Sequence, residues 1–286
     1  MKVVVTGGSG QLALAIQRFW TGHEVVLPSE RELDLSRPEA VRDTLMRLRP
    51  EVVINAGALT QVDRCETETA LAMRINGEAV GWLAAACSAL DARLVQISTD
   101  YVFDGKSTRP YREDDPVGPL SVYGRSKLLG EQEAKKIENH LIVRTAWLYD
   151  AWGHNFYTTM LKLGRQGDPL KVVDDQRGAP TSCRALATQL QVAVEAGWRG
   201  TIHATCSGET TWHGFAVEIF RLHGIPVNLA SCSTADFPRP APRPAYSVLS
   251  SEKRQALSGD VMPDWRDALA EMISEGRSSV GRGHHG

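Results

Sequence analysis

The 286-residue chain is predicted to be an α/β protein built on a doubly wound parallel sheet, with a smaller C-terminal substrate domain. Three observations predict it. Short runs of Val, Ile and Leu recur through the first half, helix-length stretches separate them, and a glycine-rich turn directly follows the first run. Near-continuous apolar runs suit strands covered on both faces, which a parallel sheet between helical layers provides. Strand–helix alternation gives the winding.

The strands are read at Lys2–Thr6, Glu24–Leu27, Glu51–Asn55, Leu94–Ser98 and Leu141–Arg144. A helix is expected from Ser36-Arg37-Pro38-Glu39, with Ser36 as cap, Glu39 completing a capping box and Pro38 in the first turn. Pro50 ends it after about Arg49. A second helix covers Glu68 to Leu90, with a break near Gly77. Residues 1–150 therefore form a dinucleotide-binding domain.

Beyond Tyr149 the pattern changes. Asn155–Arg165 is amphipathic, and Gly167-Asp168-Pro169 turns the chain. Pro238, Pro240, Pro242 and Pro244 fall within seven residues, which makes that segment an extended loop. Long irregular stretches in compact proteins are more often functional than not. Residues 151–276 are assigned mainly to a substrate domain, with about 182–205 returning to the main sheet and 277–286 forming a disordered tail.

Lys and Arg number 32 against 34 Asp and Glu, a formal net charge of −2 that gives no reason to expect nucleic acid. No apolar run reaches the roughly 18 residues of a membrane span. The N-terminal apolar stretch is too short for a signal peptide and runs straight into the glycine turn. The five cysteines are widely spaced with no Cys-x-x-Cys pair, so they read as reduced packing residues of a cytoplasmic protein. No metal site is expected.

Thr6-Gly7-Gly8-Ser9-Gly10-Gln11-Leu12-Ala13 joins the first strand to a helix. Without Cβ atoms, such a turn lets a pyrophosphate approach backbone N–H groups at a helix N-terminus. No acidic residue clearly closes the second strand, where a carboxylate would hold the ribose of NAD. Ser29 and Arg31 lie there instead and could accept a 2′-phosphate, which favours NADPH over NADH. The alternative is that both are ordinary surface residues.

Tyr123-Gly124-Arg125-Ser126-Lys127 is the second signal. Residues four apart share a helix face, so the Lys127 ammonium is expected to lower the pKa of the Tyr123 phenol. Such a phenol could exchange protons near neutrality. The third signal is Ser98-Thr99-Asp100-Tyr101-Val102-Phe103-Asp104-Gly105, at the carboxyl end of a buried strand, the edge where ligands bind open parallel sheets.

These signals, in this order, resemble the extended short-chain dehydrogenase/reductases, whose sheet is of the Rossmann type. Within them the chain is similar to the dTDP-4-dehydrorhamnose reductase family over nearly its whole length. Gly10-Gln11-Leu12, Asn55 to Asp63, Ser98 to Gly105, Val122 to Lys127 with Gly130-Glu131, Arg144 to Tyr149, Asp175 to Thr181 and Arg243 to Leu249 carry the likeness. The resemblance implies reduction of the C4 ketone of dTDP-4-dehydro-L-rhamnose to dTDP-L-rhamnose, with NADPH as cofactor and NADH as the alternative. It implies Thr99, Tyr123 and Lys127 as the catalytic triad, and Thr99 and Asp100 against the sugar. It implies Asp34 and Leu35 at the adenine, Ala58, Leu59 and Thr60 along the cofactor, Trp147 packed on the sugar, and Arg243 near the diphosphate. Some relatives use a Glu after the glycine loop to hold magnesium at a dimer interface. Ala15 stands there, and Arg184 lies in the second contributing region, so a monomer or a metal-independent homodimer is expected.

Two other functions share these features. A dehydratase places Asp-Glu directly after the catalytic Thr, whereas Tyr101 follows Asp100 here; an epimerase would consume no NADPH. A non-catalytic regulatory subunit would not need the intact triad.

Overall fold

A computed structural model describes residues 1–281 of the chain, and side chains through Glu275. Six parallel strands form the central sheet: β1 (Lys2–Thr6), β2 (Glu24–Val26), β3 (Val52–Asn55), β4 (Arg93–Thr99), β5 (His140–Thr145) and β6 (Gly200–His203). Their spatial order is β6-β5-β4-β3-β1-β2. The chain moves outward from β1 to β2, then returns to place β3 on the other side of β1. That reversal opens a crevice outside the carboxyl ends of β1 and β3, the place where this topology binds ligands.

Alternating side chains cover both faces. Val3, Val5, Ile54, Val95, Ile97 and Val143 pack beneath α1 (Gln11–Phe19) and a later helix, Cys183–Glu195. Val4, Val53, Leu94 and Ile142 pack on the opposite side, beneath α2 (Pro38–Leu48) and α3 (Ala79–Leu90). The β-branched runs of the sequence thus become strands buried on both faces.

Three local expectations change. Ser36 does not cap α2: the cap position is Arg37, with no side-chain cap bond and Pro38 in the first turn. The Ser36 N–H and hydroxyl both donate to Asp34 Oδ1, at 2.8 and 2.7 Å, so its side chain closes a turn before the helix. Nor does the helix covering Glu68 to Leu90 break at Gly77. Arg74–Glu78 form a π-helical turn between Thr69–Met73 and α3, widening the helix by an i→i+5 pattern without stopping it. The last helix runs from Trp265 to Gly281, into the segment expected to be a tail. Trp265, Leu269, Met272 and Ile273 anchor it in a core, and a seeded helix propagates readily. The expected disorder of 282–286 lies outside the described residues.

The helix that carries the Tyr–Lys pair is α4 (Val122–Ala134), capped by the Ser121 hydroxyl accepting from Gly124 N–H at 3.1 Å. After β5 the chain builds α5 (Phe156–Gln166), then α6 (Cys183–Glu195), which leads back to β6 beside β5. A separate apolar cluster gathers Tyr149, Tyr157, Met160, Phe215, Ile219, Trp265 and Leu269, tying α5 to α7 (Trp212–His223) and the last helix. No helix among the described residues is long and apolar enough to cross a membrane.

Candidate active site

The site grows from the crevice at β1 and β3. Gly7 has φ +68°, and a Cβ there would lie 2.7 Å from Gly57 Cα. A Cβ on Gly8 would lie 2.9 Å from the Pro28 carbonyl oxygen. The turn therefore needs its glycines, and it delivers Gly10 to the N-cap of α1 with no side chain blocking the helix end. Free N–H groups at that end, under a surface without Cβ atoms, fit a dinucleotide pyrophosphate.

A cleft of about 290 Å³ opens beside this turn. Of the expected residues, Gln11, Leu12, Ala58, Thr60, Thr99, Tyr123, Lys127 and Trp147 line it. Leu59 does not. Its backbone is clamped by Asn76, which accepts from Leu59 N–H at 2.8 Å and donates to the Leu59 carbonyl at 3.1 Å, while its side chain packs behind Tyr123. Asn76 also donates to Ser126 Oγ at 3.0 Å, joining the cofactor-side loop to α4. It sits in the π-helical turn, a feature often found at functional sites. The turn was legible only as a disturbance at Gly77.

Ser29, Arg31, Asp34 and Leu35 are not among the residues of this cleft. Leu35 lies against Gly57, the Asp34 carboxylate is held by Ser36, and Arg31 is exposed. The Ser29 hydroxyl donates to Glu32 at 2.9 Å, and Ser9 Oγ of the glycine turn donates to Glu30 at 3.3 Å. Carboxylates do flank the end of the second strand, contrary to expectation. They lie a few residues past its last ladder position and return through a loop that strand periodicity does not reveal.

Tyr123 and Lys127 emerge one turn apart from α4 and face Thr99 at the end of β4. All three are buried or nearly so. Burial pushes the Tyr123 phenol well above its ordinary pKa, while a hydrogen bond with Thr99 pulls the other way. The expectation that Lys127 lowers this pKa is not met. Burial dominates, and the ammonium donates to the Ile97 carbonyl at 2.6 Å. Lys127 itself is lowered to about 8 by burial, partly offset by Glu131. The Thr99 hydroxyl donates to Asp100 Oδ1 at 2.9 Å and accepts from Tyr101 N–H at 3.2 Å. Asp100 is buried behind Thr99; burial raises its pKa to about 6, against hydrogen bonds from Ser247 and Thr99.

A second, larger cleft of about 550 Å³ adjoins the first where the rings of Tyr101 and Tyr123 meet edge to face, 5.7 Å apart. Its walls come from the proline-rich loop, α5 and α7. Trp147, in the smaller cleft, lies flat on Trp212 of the larger one, with centroids 3.6 Å apart and planes 7° apart. Trp147 has φ +47°, and a Cβ on Gly178 would lie 2.5 Å from its indole. Arg243 lines the larger cleft but is held by a two-pronged bond to Asp63, at 3.1 and 3.0 Å. Asn155, the cap of α5, donates to Gln11 Oε1 at 2.8 Å, closing the segment after Tyr149 onto the glycine turn. Asp63, Trp212 and Asn155 were not singled out from sequence, because their partners are remote along the chain.

Ala15 is fully buried, and Arg184 pairs with Glu271 at 3.2 Å and with Glu275. Two carboxylates therefore surround Arg184, brought by the last helix. Among the described residues, no group of three or more His, Cys, Asp or Glu could hold a metal ion.

A family model described as the RmlD substrate binding domain matches residues 1–278. A dTDP-4-dehydrorhamnose reductase of Streptomyces griseus is 43% identical over 278 residues, covering 94% of this chain and 91% of that protein. The crystal structure of a dTDP-4-dehydrorhamnose reductase from Clostridium acetobutylicum superposes with a TM-score of 0.94 at 44% identity, covering 97% of this chain and 100% of the other. One from Bacillus anthracis, in complex with NADP, gives 0.93 at 34% identity, covering 96% and 99%. With a match over nearly its full length, the chain belongs to the dTDP-4-dehydrorhamnose reductase family.

Proposed function

We propose that this protein reduces the C4 ketone of dTDP-4-dehydro-L-rhamnose to dTDP-L-rhamnose, with NADPH as reductant. The observation that carries the reading is the convergence of Thr99, Tyr123 and Lys127 on one cleft, beside a glycine-lined helix end and open to a larger cleft. NADPH, when bound, supplies the hydride. Gly7, Gly10, Gln11 and Leu12 cradle its pyrophosphate, and Ala58, Leu59 and Thr60 run along it. Ser29, Arg31, Asp34 and Leu35 sit toward the adenosine end, where the glycine turn meets the segment after the second strand.

Tyr123 gives its proton to the oxygen of the ketone as the alkoxide develops. A phenol whose pKa is raised by burial stays protonated at neutral pH, so it enters the reaction as an acid. Thr99 holds that phenol and orients the sugar oxygen, and Asp100 holds Thr99 in turn. Lys127, anchored on the Ile97 carbonyl, puts a positive charge beneath the site where the phenolate appears. Trp147 offers a flat apolar face to the sugar. Tyr101 stands where a dehydratase would carry a second carboxylate, which favours reduction over loss of water. The absence of a membrane-length helix among the described residues fits the cytoplasm.

The test is incubation of purified protein with the keto-sugar nucleotide and NADPH, following cofactor oxidation and product NMR. One NADPH consumed per dTDP-L-rhamnose formed is the expected result. An isomer formed with no NADPH consumed, or a dehydrated sugar, overturns it.

A further inference from the structure

The wall of the larger cleft contains two arginines, and they are not equivalent. Asp63 accepts from both terminal nitrogens of Arg243, at 3.1 and 3.0 Å. It also accepts from the Ala241 backbone N–H at 3.2 Å. Burial pushes the Asp63 carboxyl up, but the hydrogen bonds from Arg243 and Ala241 outweigh this and keep it below the usual range. Asp63 and Arg243 thus form a neutral clasp. It closes the proline-rich loop onto the helical turn Val62–Thr67, across 180 residues of sequence.

Arg239 lies four residues earlier in the same loop. Its guanidinium comes no closer than 3.9 Å to Asp63, too far for a hydrogen bond, and its side chain is 55% exposed. It lines the larger cleft and rests 5.8 Å from the Phe237 ring centroid. One carboxylate against two guanidinium groups leaves one positive charge over, and Arg239 is the side chain free to present it. A planar guanidinium is well suited to a phosphate.

We propose that Arg239 binds the diphosphate of the substrate, and that the Asp63–Arg243 clasp is a positioning device that brings Arg239 and Phe237 to the cleft. The proposal rests on the reading of the substrate as a nucleotide-linked sugar. It assigns the phosphate contact to Arg239, in place of the Arg243 expected from resemblance. The two residues predict different losses: Arg239 acts on phosphate alone, whereas the clasp acts on everything the loop touches.

The experiment is calorimetric binding of three probes to the NADPH-loaded protein: dTDP, inorganic pyrophosphate and thymidine. Arg239→Gln is expected to weaken dTDP and pyrophosphate about tenfold or more, the worth of a charge-assisted hydrogen bond, and to leave thymidine within twofold. Arg239→Lys restores part of the loss. Asp63→Asn is expected to weaken dTDP and thymidine together, because the whole loop loosens. Unchanged pyrophosphate binding in Arg239→Gln, with a loss confined to phosphate probes in Arg243→Gln, reverses the assignment. Pyrophosphate that binds through Arg239 while dTDP and thymidine do not would leave the Arg239 site standing and sink the substrate reading. If none of the three binds the wild-type protein, both fall.

Discussion

Glu131 and Arg144 form a two-pronged ion pair, with Nε and Nη2 each 2.8 Å from a carboxylate oxygen and neither side chain more than 3% exposed. Ser98 Oγ donates to the same carboxylate at 2.6 Å. The pair therefore fastens the ends of β4 and β5 to α4, the elements that bear Thr99, Thr145, Tyr123 and Lys127. Removing one partner strands a buried charge. Arg144→Met should cost about 3–5 kcal/mol of stability. Glu131→Leu with Arg144→Met should recover most of it, because no charge is left behind. Denaturant midpoints check this; a double variant less stable than the single one would refute it.

Tyr123→Phe keeps the ring and its contact with Tyr101 but removes the proton. A fall in kcat of about 10²–10⁴-fold is expected, with NADPH affinity nearly unchanged. Retention of more than half the activity would exclude Tyr123 as the donor.

The pH dependence follows from Lys127, whose folded pKa of about 8 lies below its ordinary value. In the free enzyme the ammonium is lost as pH rises through about 8, so kcat/KM should decline there. The sign for stability is opposite. An unfolded lysine still holds its proton up to about 10.4, so between these values the unfolded state binds more protons and the Lys127 contribution to stability rises with pH. A kcat/KM profile flat to pH 10 would contradict this assignment.

Cofactor choice should turn on the exposed segment after the second strand. Arg31→Ala is expected to weaken NADPH more than NADH. Glu30→Gln, which removes a carboxylate near the glycine turn, is expected to favour NADPH. Ratios of kcat/KM for the two cofactors report both effects; equal changes for both would show that neither residue meets the 2′-phosphate.

Activity and oligomeric state should not depend on magnesium. Ala15 offers no ligand, and Glu271 and Glu275 are already paired with Arg184, which would repel a divalent ion. Sedimentation and turnover with EDTA and with added magnesium test this. Loss of activity on chelation that magnesium restores would refute it.

The sheet was legible because its strands are continuous β-branched runs, and the Tyr123–Lys127 pair because helical spacing is local. Other features needed the third dimension. Asn155 reaches Gln11 across 144 residues, Asp63 reaches Arg243 across 180, and Trp147 finds Trp212 only when two loops converge. No periodicity in the sequence encodes those meetings. The capping error at Ser36 has a different origin: Asp34 competes for the serine hydroxyl, and both outcomes are compatible with the same four residues.

The meeting of Gly7 with Gly57 also bears on how this chain can change. At most tight contacts, an enlarged residue can be tolerated if its neighbour shrinks. Here both neighbours already lack a side chain: a Cβ on Gly7 would lie 2.7 Å from Gly57 Cα, and one on Gly57 would lie 2.6 Å from Leu35 Cδ1. Neither glycine has anything left to give up for the other. Second-site suppressors of a Gly7 substitution cannot arise at Gly57, and mutagenesis libraries aimed at new cofactors are best built around these two positions, leaving both untouched.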